Sequence, residues 1–256
     1  MRRFSFILVL GLAACGHTIS EQDQAQARLQ YDMGVESLRR GEPRGALRDL
    51  MAAAEKDPEL PQVHNALGLV YHALGRADDA LAHYERAMKL KPDFSEAANN
   101  MGTLLTDMGR YDDAVAAHQT ALGDILYGTP WLAEGNMAWA LYKRGDVVGA
   151  RKHLRNALAT NPKFCRGYEW LAHIDLEQGA ADDTVQSCMR FERYCAADPE
   201  IADQIQPELL REMRYYLAMG HLKRGDHEAA RDAFTQCADE TDGYGARCRS
   251  SLATLN

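Results

Sequence analysis

The residues of this chain best suited to covalent chemistry are its cysteines. Cys15 ends the run Leu12-Ala13-Ala14-Cys15, which follows Arg2, Arg3 and an apolar stretch from Phe4 to Leu12. Such a stretch is too short to cross a bilayer, and with its basic start and small-residue end it reads as an export signal. The last four positions match a bacterial lipobox, in which the peptide bond before the cysteine is cut and the thiol carries lipid. Residues 1–14 are therefore expected to be a lipoprotein signal peptide, Cys15 the lipid-attachment site, and residues 15–26 a Gln-rich flexible tether. Several acyl chains, at about 0.8 kcal/mol per buried CH2, would hold the protein on a membrane. Gly16 in place of an aspartate points to the outer membrane, with the protein facing the periplasm.

The other cysteines suit oxidation. Cys165, Cys188, Cys195, Cys237 and Cys248 all lie in the C-terminal part of the chain. In an exported protein they can pair, and an odd number leaves at least one without an internal partner. Cys165 opens one predicted helix and Cys195 closes its antiparallel neighbour, so this pair is the first choice for a bridge. Cys237 with Cys248, across the last turn, is the second, and Cys188 falls at a core position.

Catalytic and metal-binding patterns are missing. His227-Glu228 lacks the second histidine of HExxH, and no CxxC, GxGxxG or phosphate-loop run occurs. The acidic pairs Asp78-Asp79, Asp112-Asp113 and Asp182-Asp183 recur before predicted helices, where they suit capping and the helix dipole better than acid-base chemistry. The expectation is no enzyme, no metal, no small-molecule substrate and no cofactor beyond the lipid on Cys15. The formal net charge of −8 becomes −10 once Arg2 and Arg3 leave with the signal peptide, which disfavours nucleic acid.

What positions these residues is a repeat. Residues 61–94 read as helix, turn, helix and closing proline, with Gly75 at the turn, Pro92 at the end and small residues Gly68, Ala80 and Ala87 where helices touch. His64, Leu67, Gly68, Tyr71, Ala80, Tyr84 and Pro92 follow the tetratricopeptide pattern, with His64 in place of the usual Trp. Turn glycines Gly41, Gly75, Gly109, Gly145, Gly179 and Gly225 recur at spacings of 34, 34, 36, 34 and 46 residues. The fold class is therefore all-α: a solenoid of six helical hairpins over residues 27–256, near 27–60, 61–94, 95–130, 131–164, 165–210 and 211–244, with a capping helix at 244–256. The third repeat overruns around Gly123 to Pro130. The fifth carries twelve extra residues, mainly in Ala196 to Leu210, where Asp198-Pro199 and Gln206-Pro207 look like helix starts.

In such a stack the first helices line the concave side. The residues off the packing columns are Tyr31, Val35 and Leu38, then Asn65, Asn99 and Thr103, then Trp139 and Tyr142, then Tyr215, Met219 and Leu222. Asparagines at matching places could bind an extended peptide backbone, and aromatics could anchor side chains. Packing of Trp139, Tyr142 and Tyr215 against neighbouring repeats is the equal alternative. Basic companions for a carboxylate clamp are missing beside Asn65, Asn99 and Asn100.

A lipobox followed by six tetratricopeptide repeats resembles the PilF and PilW lipoproteins of type IV pilus systems, with their myxobacterial branch the nearest likeness. The resemblance implies an outer-membrane pilotin: a non-catalytic scaffold whose partner is the secretin PilQ and which promotes secretin assembly or localisation. The repeat columns are shared by many unrelated proteins, so two other roles stay open. One is an adaptor for peptidoglycan hydrolases, similar to NlpI; the other is a part of outer-membrane barrel assembly, similar to BamD.

Overall fold

The structure is a computed structural model and describes residues 19–238 and 243–255. The expected signal peptide and the lipid site Cys15 lie outside the described residues. Those residues form thirteen α-helices: α1 (Glu21–Arg39), α2 (Pro43–Lys56), α3 (Pro61–Ala73), α4 (Ala77–Leu90), α5 (Ser95–Asp107), α6 (Tyr111–Leu122), α7 (Pro130–Arg144), α8 (Val147–Thr160), α9 (Cys165–Glu177), α10 (Ala181–Phe191), α11 (Pro207–Lys223), α12 (His227–Ala238) and α13 (Gly243–Thr254). Six antiparallel hairpins, α1–α2 through α11–α12, stack in order, and α13 covers α12 and α11 at the end.

Each hairpin turns in the same way. Gly41, Gly75, Gly109, Gly145, Gly179 and Gly225 all have φ between 72° and 98°, a region a Cβ disfavours. The residue after each glycine donates its N–H back to the helix it has left, as Arg76 does to the carbonyl of Tyr71 (2.9 Å) and Asp146 to that of Leu141 (2.9 Å). This closing bond satisfies a carbonyl that the helix end would otherwise strand.

The hairpins close on small residues. A Cβ on Gly68 would stand 2.5 Å from the Tyr84 ring, and one on Gly102 would stand 2.6 Å from the His118 ring. Tyr84 and His118 are fully buried and occupy the same column of the second helix, which continues as Leu154, Cys188 and Phe234. One repeat cannot bury this face alone, so neighbouring hairpins share three large cores centred on α2–α4, α6–α11 and α11–α13.

First helices pack against one another, α3 on α5, α5 on α7 and α9 on α11, whereas no second helix packs comparably on the next. The stack therefore curves, with first helices inside and second helices splayed outside.

Several expectations need correction. The flexible tether does not extend to residue 26: Ser20 caps α1 by accepting the Asp23 N–H at 3.1 Å, and the helix begins at Glu21. Lys56 then pairs with Asp23 at 3.0 Å, which holds that first turn against α2. Pro130 opens α7 rather than closing the third repeat. The sixth repeat begins at Pro207, four residues before the expected 211, because proline at the first helical position costs no hydrogen bond and Leu209 is buried from there. Asp198-Pro199 does not start a helix; Asp198 instead accepts the Glu200 N–H at 2.9 Å, and the chain makes a single 3-10 turn at Ala202–Gln204. The acidic pairs do fall in the first turns of α4, α6 and α10, but none caps by a side-chain hydrogen bond. Arginines hold them: Arg76 on Asp79 and Arg110 on Asp113, both at 2.7 Å.

Cys165 is bonded to Cys195 and Cys237 to Cys248, with Cα separations of 5.8 and 5.9 Å. Cys188 is a buried free thiol, and burial raises its pKa.

Candidate functional site: the concave face

The expected inner face lies on the first helices, at residues ten, six and three before each turn glycine, as Tyr31, Val35 and Leu38 are in α1. Near the N-terminal end, Tyr31 and Leu38 are half-buried against α3 while Val35 is 37% exposed, and Leu69 of α3, also 37% exposed, continues this apolar strip. Leu69 was not among the expected groove residues, although it stands one repeat on from Val35.

The middle of the face is polar, and its atoms are occupied. Asn100 donates to the Asn65 side chain at 3.1 Å. Asn99 is 3% exposed, so its expected place in the groove is wrong: its Oδ1 accepts from His118 Nδ1 at 3.0 Å and from Asn136 at 3.2 Å. Asn136 also donates to Thr103 at 3.3 Å, and Thr103 donates to the Asn99 carbonyl at 3.2 Å. These asparagines join α3, α5, α6 and α7 to one another instead of waiting for a peptide. Burial pushes the His118 pKa down to about 4, so its ring is neutral and donates from Nδ1.

Beyond α7 the face becomes aromatic. Trp139 stacks on Trp170 with ring centres 5.3 Å apart, Tyr142 lies 5.1 Å from Trp139, and Lys143 Nζ sits 5.1 Å over the Trp139 ring. Tyr142 donates to Glu177 and lies 3.2 Å from His173 Nε2; His173 Nδ1 lies 2.9 Å from the Tyr216 hydroxyl. Tyr216 donates to Glu212 at 2.7 Å, and Tyr244 of α13 donates to the same carboxylate. Burial, reinforced by Glu177, raises the Tyr142 hydroxyl to about 12. Glu169 is buried beneath this set, and burial with repulsion from Glu212 raises its carboxyl to about 7. Tyr215, Met219 and Leu222 are half-buried around the last core.

Trp139 and Tyr142 pack on the next repeat, which was the alternative weighed for them, and both rings are half-buried. Trp170, His173, Glu177 and Glu212 were not expected here. His173 could have been found, since it holds the same repeat position as Trp139.

No three His, Cys, Asp or Glu side chains are gathered for a metal among the described residues, and none of the described helices is long and apolar enough to cross a membrane. The face offers an apolar strip, a closed polar middle and an aromatic patch, an arrangement suited to holding a polypeptide.

Tetratricopeptide-repeat models match residues 31–93, 71–124, and 131–156 with 214–234. No curated protein sequence matches the chain. Among solved structures the chain is similar to PilW, described as a widely conserved type IV pilus biogenesis factor, with 21% identity and a TM-score of 0.75 over 90% of this chain and 97% of that one. PilF of Pseudomonas aeruginosa is similar at 17% identity and a TM-score of 0.74, over 87% of this chain and 95% of that one. MamA of Desulfovibrio magneticus RS-1 aligns over 69% of this chain, with 19% identity and a TM-score of 0.55.

Proposed function

The chain belongs to the tetratricopeptide-repeat family, and from that premise we propose that it is a non-catalytic scaffold of type IV pilus biogenesis that binds secretin (PilQ) subunits. Lipid on Cys15 would anchor it to the outer membrane, facing the periplasm, and the concave face would hold a secretin segment until the ring assembles. The observation carrying this reading is the likeness to PilW and PilF, which covers 90% and 87% of this chain and nearly all of each of theirs. The aromatic patch at Trp139, Tyr142 and Trp170 adds anchoring area of the type that dominates protein interfaces.

The early start of α1 sharpens the anchoring. Glu21 is six residues beyond Cys15, a reach of at most roughly 20 Å for extended chain. A lipidated Cys15 would therefore hold the first repeat close to the bilayer and raise its effective concentration near membrane-bound secretin.

Deleting the protein is expected to abolish heat- and detergent-resistant secretin multimers while leaving monomer; normal multimers would overturn the proposal. Cys15→Ala should yield a folded, soluble solenoid that fails to reach the outer membrane. Trp139→Ala should weaken capture of PilQ by purified protein about tenfold or more. Recovery of peptidoglycan hydrolases or a barrel-assembly protein in place of PilQ by cross-linking in cells would favour one of the other scaffold roles.

A further inference from the structure

Where second helices splay, clefts open on the outer side, floored by the first helix that lies between them. The cleft between α8 and α10, floored by α9, has a volume of about 620 Å3 and carries Arg155, Asp183, Arg190 and Arg193. The corresponding cleft between α4 and α6 is about 280 Å3 and carries Glu85, Arg110, Asp113 and Thr120. Counting from the turn glycines, Arg155 stands where Glu85 does and Arg190 where Thr120 does.

The charges of the larger cleft do not cancel. Arg190 and Arg193 are exposed and form no ion pair among the described residues. Arg155 reaches Asp183 only at 3.6 Å, and Arg151 already holds that carboxylate at 2.6 Å. Asp175, which also lines the cleft, is buried and held by Arg151 at 2.6 Å. A cationic cleft thus stands in a chain of net charge −8.

The backbone at its rim is unusual. After Phe191 the chain runs as a π-helix from Glu192 to Ala196, a form that is rare and clusters at functional sites. The wider turn buries Cys195, which is bonded to Cys165, and sets Arg193 and Tyr194 at the cleft. Tyr194 stacks on Tyr168 with centres 6.5 Å apart and planes 9° from parallel. Leu158 and Leu171 line the same space. Cationic groups therefore stand over an apolar and aromatic wall that a disulfide holds in place.

We propose that this cleft is a second binding site, on the side opposite the concave face, for an acidic segment of a partner polypeptide. Carboxylates of the segment pair with Arg155, Arg190 and Arg193, whose planar guanidinium groups match them geometrically. Aliphatic or aromatic side chains between the acidic ones lie on Tyr194, Tyr168 and Leu171. A membrane surface fits less well, because the site is recessed between α8 and α10 with α9 as its floor.

The test uses the oxidised full chain and a fluorescein-labelled decapeptide of alternating glutamate and leucine, followed by anisotropy. Binding is expected to fall at least tenfold in the double variant Arg190→Ser with Arg193→Ser and to weaken with salt. It should vanish when glutamine replaces glutamate in the peptide and persist in Trp139→Ala, which separates this site from the concave face. An unchanged thermal midpoint is expected for the double variant, since both side chains are exposed and form no ion pair among the described residues. Equal affinity in the double variant, no binding at millimolar peptide, displacement by inorganic phosphate at equal concentration, or tighter binding to phosphatidylglycerol vesicles than to the peptide would each overturn the proposal.

Discussion

The cleft between α4 and α6 and the cleft between α8 and α10 are made from the same columns of the same repeat, yet they differ in nearly every property that matters for recognition. The first is small, and its lining pairs Arg110 with Asp113 at 2.7 Å. The second is larger, has at its rim two arginines, Arg190 and Arg193, that form no ion pair among the described residues, and is bordered by a π-helical turn tied to α9 by a disulfide. Around the first, the hairpins are held by close approach, Gly68 under Tyr84 and Gly102 under His118. Around the second, Cys188 stands where the large ring would, and a disulfide adds a covalent tie to the packing of Phe164, Tyr168 and Phe191. The regular repeats thus pair their charges in place, while the irregular one leaves arginines over a wall that packing and a disulfide hold.

Breaking the disulfide should separate the two regions most strongly. Cys165→Ser with Cys195→Ser opens a loop of sequence separation 30, and in the chain-entropy account this costs about 3 to 4 kcal/mol. Amide exchange should rise in α9, α10 and the following insert while α3 to α6 keep their protection. Uniform exchange throughout would show that the halves are not independently supported.

The two regions should also answer pH in opposite senses. Burial lowers His118 to about 4 in the folded protein against a usual 6.5, so the unfolded chain binds the proton first and stability falls as pH drops from about 6.5 to 4. Glu169 is raised to about 7 from 4.5, so the folded chain binds the proton first and stability falls as pH rises from about 4.5 to 7. Each effect is worth up to about 3 kcal/mol. Denaturant titrations from pH 4 to 8 should show His118→Tyr losing the first slope and Glu169→Gln the second, with Glu169→Gln the more stable protein at pH 8. A pair of variants with wild-type pH profiles would remove both assignments.

Gly68→Ala and Gly102→Ala should each cost about 1 to 3 kcal/mol by overpacking against the ring below. Gly123→Ala, at the open end of α6, should change the thermal midpoint little, its nearest neighbour being a carbonyl 3.3 Å from the added Cβ. Asn99→Ala strands the buried His118 N–H and should cost about 1 to 3 kcal/mol in the same measurement.

Much of this architecture could be read from residue types. The turn glycines, the small-residue columns and the cap all follow from local geometry repeated at one period. The pairing of Cys165 with Cys195 follows from the two ends of one hairpin. The errors have local causes too. The Ser20 cap and the Asp23–Lys56 pair extend α1 through a stretch whose composition looks like a tether. Leu69 and His173 were missed although they occupy expected positions, because neither looked distinctive as a residue type.

What the amino-acid order settled by itself is the helical hairpin, its number and its register, since each depends on contacts within a repeat or with the next. Only the tertiary structure decided which off-column side chains face inward. Asn99 and Thr103 lie a turn apart on α5, and Asn99 is consumed by His118 and Asn136 because α6 and α7 bring partners within hydrogen-bond distance. Likewise Arg155, Arg190 and Arg193 are scattered surface charges in the sequence. They become one cleft because α8 and α10 splay apart and the π-helical turn after Phe191 turns the last of them inward.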